Sequence, residues 1–170
     1  MRKLIDQEKM HRTIRRISHE VIEQNLDLEN LIILGVKSKG VPLAKIIKEN
    51  ILKIENVDVP IYNLDISGYR DDKKISDFQK LDIDLNDKTV LVVDDVLFTG
   101  RTVRASMDAI IDLGRPSKIQ LAVLVDRGHR ELPIRADYVG KNMPTSADEL
   151  VKVSFTGEIG VYILSKEEKQ

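Results

Sequence analysis

One segment constrains the fold of this chain more than any other: it runs from Thr89 to Thr102 and reads T-V-L-V-V-D-D-V-L-F-T-G-R-T. Its four consecutive apolar residues, 90–93, are mostly β-branched and predict a buried strand. Two adjacent carboxylates, Asp94 and Asp95, follow directly, and from Thr102 onward the apolar residues recur at helical spacing. A strand, an acidic pair, a short turn and a helix together predict a site for a phosphorylated ligand that carries hydroxyl groups.

The turn and the acidic pair indicate how such a ligand would be bound. The first N–H groups of a helix have no partner inside it, and the helix dipole favours an anion there. Gly100 lets the turn approach a phosphate closely, and threonine hydroxyls add donors. Asp94 and Asp95 can accept hydrogen bonds from sugar hydroxyls or hold Mg²⁺. The alternative, a carboxylate that merely caps the helix, explains only one of the two.

Strands and helices alternate along the rest of the chain. Two helices are predicted, at residues 8–24 and 41–52. Further strands are predicted at residues 31–36, 57–65, 119–125, 151–155 and 161–164, with a turn at 157–160 between the last two. This alternation predicts an α/β fold with a mostly parallel twisted sheet and helices on both faces. We expect the 170 residues to form a single domain.

Composition excludes several classes of protein. The chain contains no Cys, which excludes a disulfide framework and a cysteine nucleophile. No apolar run approaches the length of a membrane span and the N-terminus lacks a signal peptide, so we expect a cytoplasmic protein with no membrane partner. The formal net charge of −1 argues against indiscriminate nucleic-acid binding but leaves room for a local basic patch.

Ligands of such sheets bind beyond the carboxyl ends of the strands. Four segments leave predicted strands in that direction: residues 37–40, the loop after Asp65, residues 94–102 and residues 126–130. The first, K-S-K-G, offers two ammonium groups and the N–H groups of a helix start, which suit pyrophosphate. An ordinary solvated turn is the alternative for this loop. The charged stretch from residue 69 to 84 predicts a long loop or hairpin.

The motif V-V-D-D-V-L-F-T-G-R-T closely resembles the signature of the type I phosphoribosyltransferases, which bind 5-phosphoribosyl-1-pyrophosphate (PRPP). Residues 104–142 resemble, more narrowly, the bifunctional pyrimidine operon regulators that are also uracil phosphoribosyltransferases. The resemblance runs from about Arg12 to the C-terminus and weakens between Lys73 and Leu85. It implies the type I fold with a small hood and a flexible loop. It also implies conversion of uracil and PRPP to UMP and pyrophosphate with Mg²⁺.

The resemblance assigns roles to individual residues. Asp94 and Asp95 would be catalytic and would bind the ribose hydroxyls, directly or through Mg²⁺. Tyr69-Arg70-Asp71-Asp72 would begin a lid that closes over the site, although the chain is short in the following stretch. PRPP and nucleotide would be bound by Val93, Val96, Leu97, Phe98, Thr99, Gly100, Arg101 and Thr102, together with Ser38, Lys39, Gly40 and Arg70.

Recognition of the base is assigned to Arg127, Tyr138 and Val139. Val139 would offer backbone groups and Tyr138 a stacking face, although Tyr138 could equally be a core aromatic residue. In purine phosphoribosyltransferases a Lys follows the equivalent strand, whereas here Asp126 does. This difference favours a pyrimidine.

The same resemblance implies a second partner, the messenger RNA leader of pyrimidine operons, bound in response to UMP or UTP. The residues matching those that bind RNA are His129, Arg130, Arg135 and Lys141, and Arg15 and Arg16 with Arg12 would extend the surface. Without the resemblance, such a charge run is more often a solvated face. His129, Arg130 and Arg135 are expected to be dispensable for catalysis. A homo-oligomer, dimer or hexamer, is also implied.

Two rival functions remain at this point. The chain could be a non-catalytic RNA regulator that uses the PRPP pocket only as a nucleotide sensor. It could also be a receiver-like domain, which likewise ends a strand in acidic residues. A receiver has no use for the K-S-K-G loop or the Thr/Gly turn, so we discount it.

Overall fold

A five-stranded parallel sheet with strand order β3-β2-β4-β5-β6 forms the centre of the molecule, and a three-stranded antiparallel sheet, β1-β8-β7, forms a hood beside it. The computed structural model describes residues 1–70, 82–165 and 168. The strands are β1 Arg2–Asp6, β2 Leu31–Val36, β3 Ile61–Leu64, β4 Thr89–Leu97, β5 Lys118–Asp126, β6 Tyr138–Asn142, β7 Leu150–Ser154 and β8 Gly160–Leu164.

Three helices cover the central sheet: α1 Gln7–Gln24, α2 Gly40–Glu55 and α3 Arg101–Leu113. Helix α1 begins where the Asp6 carboxylate accepts a hydrogen bond from the backbone N–H of Lys9 at 2.9 Å, a side-chain N-cap. Its apolar stripe, including Met10 and Ile14, is fully buried. None of the helices within the described ranges is long and apolar enough to cross a membrane.

Each face of the sheet has its own core because successive strand residues point to opposite sides. Ile33, Leu91 and Val93 pack with α1, α2 and the hood. On the other face Val90 and Val92 pack with α3. The expected α/β architecture, a parallel sheet with helices on both faces and a small hood, is therefore confirmed.

Several predicted boundaries were wrong, most importantly the end of β4. The strand continues to Leu97, so Asp94 and Asp95 lie within it rather than after it. The extension has a partner, since β5 pairs with β4 as far as Leu97 opposite Asp126. Helix α2 runs to Glu55, three residues further than expected, and β3 begins only after Pro60, which lacks an N–H for strand pairing.

The sequence patterns missed two strands entirely. Strand β1 contains three charged residues in five, and it forms only because β8 supplies a partner. Strand β6 contains Gly140 and Lys141 and is ordered by parallel pairing with β5 at the edge of the sheet. Both cases depend on a neighbouring strand that local sequence patterns do not reveal.

Candidate active site and basic surface

The expected convergence of loops is present at one edge of the central sheet. Because β2, β3, β4 and β5 are parallel neighbours, the segments that follow them all leave the same edge. A cavity of about 320 Å³ opens there around the end of β4 and the start of α3. It is lined by Arg70, Asp94, Val96, Leu97, Phe98, Thr99, Gly100, Arg101, Thr102 and Val103.

The two aspartates do not cap the following helix. The Asp94 carboxylate accepts from the backbone N–H of Asp95, and the Asp95 carboxylate from that of Val96, each at 2.9 Å. Helix α3 instead begins after Gly100, which adopts a φ of 92° and has no side chain to offer. The capping alternative is therefore wrong, and the N-terminus of α3 faces the cavity without a carboxylate cap.

The environment of the two aspartates disfavours their charged forms. Burial, followed by repulsion from the Asp95 carboxylate, raises the pKa of Asp94 well above its ordinary value. Burial also raises the pKa of Asp95, while hydrogen bonds with the Asp94 side chain and the Val96 backbone and, least of all, the charge of Lys39 oppose this rise. Hydroxyl donors or a cation would relieve the repulsion, so the pair is suited to a ligand that brings one or the other.

The donor set fits Mg²⁺ only in partnership with a ligand. Among the described residues, no three His, Cys, Asp or Glu side chains gather into a cluster that could hold a metal by itself. Mg²⁺ is commonly bound by one or two carboxylates while it keeps waters and substrate oxygens. Asp94 and Asp95 match that requirement.

The K-S-K-G loop adjoins the acidic pair through Gly40. A Cβ atom on Gly40 would lie 2.2 Å from the carbonyl oxygen of Val93 and 3.2 Å from the Cα of Asp94, so only glycine allows this approach. Lys37 forms an ion pair with Asp65 at 3.8 Å. Ser38 and Lys39 are exposed beside the site, as their predicted role requires.

Val93 is one predicted ligand residue that the structure removes from the cavity. Its side chain is fully buried in the core under α1 and α2, because the alternation of β4 turns it away from the cavity. Only its backbone borders the site, through the contact with Gly40.

The start of the predicted lid is anchored to α3. The Tyr69 hydroxyl donates a hydrogen bond to the Asp112 carboxylate at 2.9 Å. Burial and this carboxylate raise the pKa of Tyr69 to about 12. Arg70 lines the cavity, while Asp71, Asp72 and the rest of the lid lie outside the described residues.

Two of the three predicted base-binding side chains have structural roles instead. Tyr138 is 2% exposed and exchanges hydrogen bonds with Asn25 and Gln120, so the core-aromatic alternative is correct. The buried Arg127 donates to the Thr145 hydroxyl and the Ser146 carbonyl at 2.9 and 3.0 Å. Burial lowers the pKa of this guanidinium.

Val139, the third of these residues, lies elsewhere. It borders a separate groove of about 680 Å³, lined by residues of β6 and of the segments before and after it. Its carbonyl accepts from Arg16 at 3.3 Å.

The predicted RNA-binding residues divide into two groups. The first group makes hydrogen bonds within the protein. Arg130 bonds to Phe98, Ile134 and Asp126, and His129 to the Thr145 carbonyl. Arg16 bonds to Glu20 and to the carbonyls of Val139 and Gly140. Arg12 pairs with Glu8. The other group, Arg15, Arg135 and Lys141, is exposed, and within residues 1–70 and 82–165 their side chains make no hydrogen bond or ion pair.

We call Arg15, Arg135 and Lys141 the basic surface. Lys141 lies on edge strand β6, Arg15 on the helix that packs beside that strand, and Arg135 in the segment leading into it. Strand β6, the segment before it and the helix beside it thus each carry one exposed cation. Sequence reasoning also missed Thr145 and Ser146, which resemble ordinary loop residues and carry no motif.

Comparisons with known proteins agree with this architecture. The family model "Phosphoribosyl transferase domain" matches residues 2–154. The chain is 57% identical over 157 residues to the "Bifunctional protein PyrR" of Clostridioides difficile (strain 630), with 89% of each chain covered. It is 51% identical to the "Pyrimidine operon regulatory protein" of Lactococcus lactis subsp. lactis (strain IL1403), covering 94% of this chain and 92% of that protein.

Solved structures show the same fold at low identity. The hypoxanthine phosphoribosyltransferase of Trypanosoma cruzi superposes with a TM-score of 0.80, 18% identity and 97% coverage of both chains. That of Staphylococcus aureus gives a TM-score of 0.72, with 18% identity, 88% of this chain and 80% of the other. At such identities the likeness describes the fold alone.

Proposed function

Because the chain belongs to the phosphoribosyl transferase family, we propose that it transfers the phosphoribosyl group of PRPP to uracil, releasing pyrophosphate and forming UMP. We also propose that it binds the mRNA leader of pyrimidine operons in response to uridine nucleotides and so attenuates their transcription. The observation that carries the enzymatic role is the buried Asp94 in the wall of a cavity that ends at the N-terminus of α3, with the half-buried Asp95 next to it in β4.

The aspartates act on the ribose. When the bond between C1 and the pyrophosphate oxygen breaks, positive charge develops on the sugar ring, and a new bond forms to a ring nitrogen of uracil as that nitrogen loses its proton. Asp94, which lines the cavity, and the adjacent Asp95 supply negative charge to the ring, and their oxygens accept from the ribose hydroxyls. Their mutual repulsion makes these hydrogen bonds favourable.

The phosphate groups are held elsewhere in the site. Thr99, Gly100 and Thr102 offer hydroxyl and backbone donors to the 5′-phosphate at the start of α3. Ser38, Lys39 and Gly40 would supply donors and positive charge to the departing pyrophosphate, and the close approach of Gly40 to Asp94 supports this role. Mg²⁺, held by Asp94 and Asp95 together with the substrate, would neutralise charge on the leaving group.

The regulatory role rests on the relatives' names and on the basic surface. Both relatives named above are bifunctional or operon-regulatory proteins by name. Exposed Arg and Lys side chains that have no partner among the described residues suit RNA phosphates and the bases of a folded loop. A cytoplasmic homo-oligomer is the form in which we propose that both roles operate.

A second candidate function is a non-catalytic RNA regulator that uses the pocket only to sense nucleotides. Radiolabelled uracil and PRPP with Mg²⁺ separate the two. We expect labelled UMP to form in amounts far above the enzyme concentration, with equal pyrophosphate release. Tight UMP binding without turnover would instead establish the sensor.

Replacing Arg15, Arg135 and Lys141 with Ala should weaken RNA binding while UMP is present. Each lost phosphate contact should reduce the slope of log affinity against log salt concentration by about one unit. The measurement is leader-RNA affinity across a salt series. The matched control replaces the exposed Lys53, Arg115 and Lys118, which removes the same charge elsewhere. Equal losses in both variants would mean that only net charge matters and that the basic surface is an ordinary solvated face.

A further inference from the structure

The segment that follows β5 is hydrogen-bonded to residues 98–102, the turn between β4 and α3 that we call the phosphate turn. The backbone N–H groups of Glu131 and Leu132 donate to the Thr99 carbonyl at 3.0 and 3.2 Å. The Arg101 Nε donates to the Glu131 carboxylate at 2.6 Å. Ile134 packs against Gly100, where an added Cβ would lie 3.4 Å from its side chain. Any shift of the turn must therefore move residues 131–134.

Arg130 is the centre of this connection. Its Nη1 donates to the Phe98 carbonyl and its Nε to the Ile134 carbonyl, each at 2.8 Å, while Nη2 pairs with Asp126. One planar guanidinium thus joins the phosphate turn, the end of β5 and the segment leading to β6. The side chain is 24% exposed, which leaves little of it for an external ligand.

Phe98 adds an aromatic link between the same two segments. The guanidinium carbon of Arg127 lies 4.1 Å from the centre of the Phe98 ring. The His129 ring meets Phe98 edge-on at 5.9 Å between centroids, and its Nε2 lies 2.6 Å from the Thr145 carbonyl oxygen. The side chains of residues 127 and 129 therefore depend on the position of a residue that lines the nucleotide cavity.

We propose that Arg130 is a positioning residue that holds the phosphate turn and links its occupancy to the RNA-binding state of the segment leading to the basic surface. This inference rests on the proposed function. A nucleotide phosphate at the start of α3 stabilises one arrangement of residues 98–102. Through Arg130 the same arrangement is imposed on residues 130–135, where the exposed Arg135 meets RNA. By linkage, RNA must then raise nucleotide affinity by the same factor.

The nearest alternative gives Arg130 a direct contact with an RNA phosphate. A Lys at this position separates the two ideas, because an ammonium group keeps the charge but loses the planar fork. As a point charge it would preserve a phosphate contact. It cannot reach two carbonyls and a carboxylate in three directions with the same geometry.

The experiment measures four affinities for wild type, Arg130→Lys and Arg135→Ala: RNA with and without UMP, and UMP with and without RNA. We expect Arg130→Lys to weaken UMP binding about tenfold in the absence of RNA and to bring the coupling factor close to 1. Arg135→Ala should weaken RNA binding more with UMP present than without it, because it removes the contact that the nucleotide strengthens, and should leave UMP affinity in the absence of RNA at the wild-type value. Arg115→Ala, an exposed substitution remote from both, controls for UMP affinity.

The outcomes distinguish this inference from the proposed function. Wild-type UMP affinity in Arg130→Lys, or an unchanged coupling factor, overturns the positioning role. Failure of the wild type to bind RNA defeats the regulatory function, while the UMP measurement without RNA still tests Arg130. If Arg130→Lys does not fold, Asp126→Asn removes the anionic partner and should weaken UMP binding in the same direction; unchanged UMP affinity there also overturns the proposal.

Discussion

Substitution of both site aspartates, Asp94→Asn with Asp95→Asn, should abolish uracil-dependent release of pyrophosphate. Groups that stabilise charge in the transition state are commonly worth about 10²–10³ in rate each. The two carboxylates act on the same sugar, so their single losses should not add, and the double variant defines the effect. Pyrophosphate release at saturating uracil and PRPP is the measurement. The control variant, Asp27→Asn with Asp87→Asn, makes the same chemical change at exposed positions before β2 and β4.

The same double variant should be at least as stable as the wild type. Burial raises the pKa of both aspartates, so the folded protein disfavours their charged forms above that raised pKa. An Asn pair removes this cost and can still accept from the backbone N–H groups of residues 95 and 96.

The stability difference has a definite pH dependence. A raised folded-state pKa means that the wild type gains stability as pH falls from the raised pKa toward the ordinary Asp range. The melting-temperature advantage of the variant should therefore shrink over that window. A double variant that keeps most of its turnover, or that unfolds at neutral pH, contradicts the assignment of these residues to the ribose site.

Local patterns predicted the elements that carry a continuous apolar run or a regular apolar stripe. Strand β2 and helix α1 were placed within one residue because apolar runs and helical spacing are written into those segments. Strands β1 and β6 depend on partners distant in sequence, and the end of β4 depends on β5. Strands without an apolar pattern of their own, and the ends of strands, are therefore where prediction failed.

The residues of the candidate site also fall into those that local sequence predicts and those whose roles depend on distant partners. The phosphate turn, the acidic pair and Gly40 belong to continuous motifs whose chemistry is readable residue by residue. The roles of Arg127, Arg130 and Tyr138 depend on what lies across space from them. Tyr138 is oriented by Asn25, and Arg130 by Phe98. The expectation that Arg130 is dispensable for catalysis, based on its separation from the loops in sequence, does not agree with its bond to the phosphate turn.

The fold alone does not determine which base accepts the phosphoribosyl group. The preference for uracil over purines is therefore the second prediction with a large expected effect. The superposed Trypanosoma cruzi and Staphylococcus aureus enzymes are hypoxanthine phosphoribosyltransferases, yet they share only 18% identity with this chain. The sequence relatives instead carry pyrimidine-regulator names. The deciding chemistry lies at the end of β5.

At that position the chain offers no ammonium donor for the ring oxygen of a purine. Purine phosphoribosyltransferases, by the resemblance, have a Lys at this position, whereas this chain has Asp126. The Asp126 carboxylate accepts hydrogen bonds from Arg130 and from the backbone N–H of Gly128, the latter at 3.0 Å. The neighbouring Arg127 is held by Thr145 and Ser146 and cannot substitute for that Lys. A purine would therefore leave its ring oxygen without the donor that purine enzymes provide.

We expect kcat/KM for uracil to exceed that for hypoxanthine or guanine by on the order of 10⁴, the scale of discrimination when a hydrogen-bonding group is left without its partner. Initial rates of pyrophosphate release at fixed PRPP, with each base in turn, give the ratio directly. Arg115→Ala run in parallel should reproduce the wild-type ratio, since that side chain is exposed and remote from the end of β5. Equal or better use of a purine would mean that the chain is a phosphoribosyltransferase of another specificity and that Asp126 does not exclude purines.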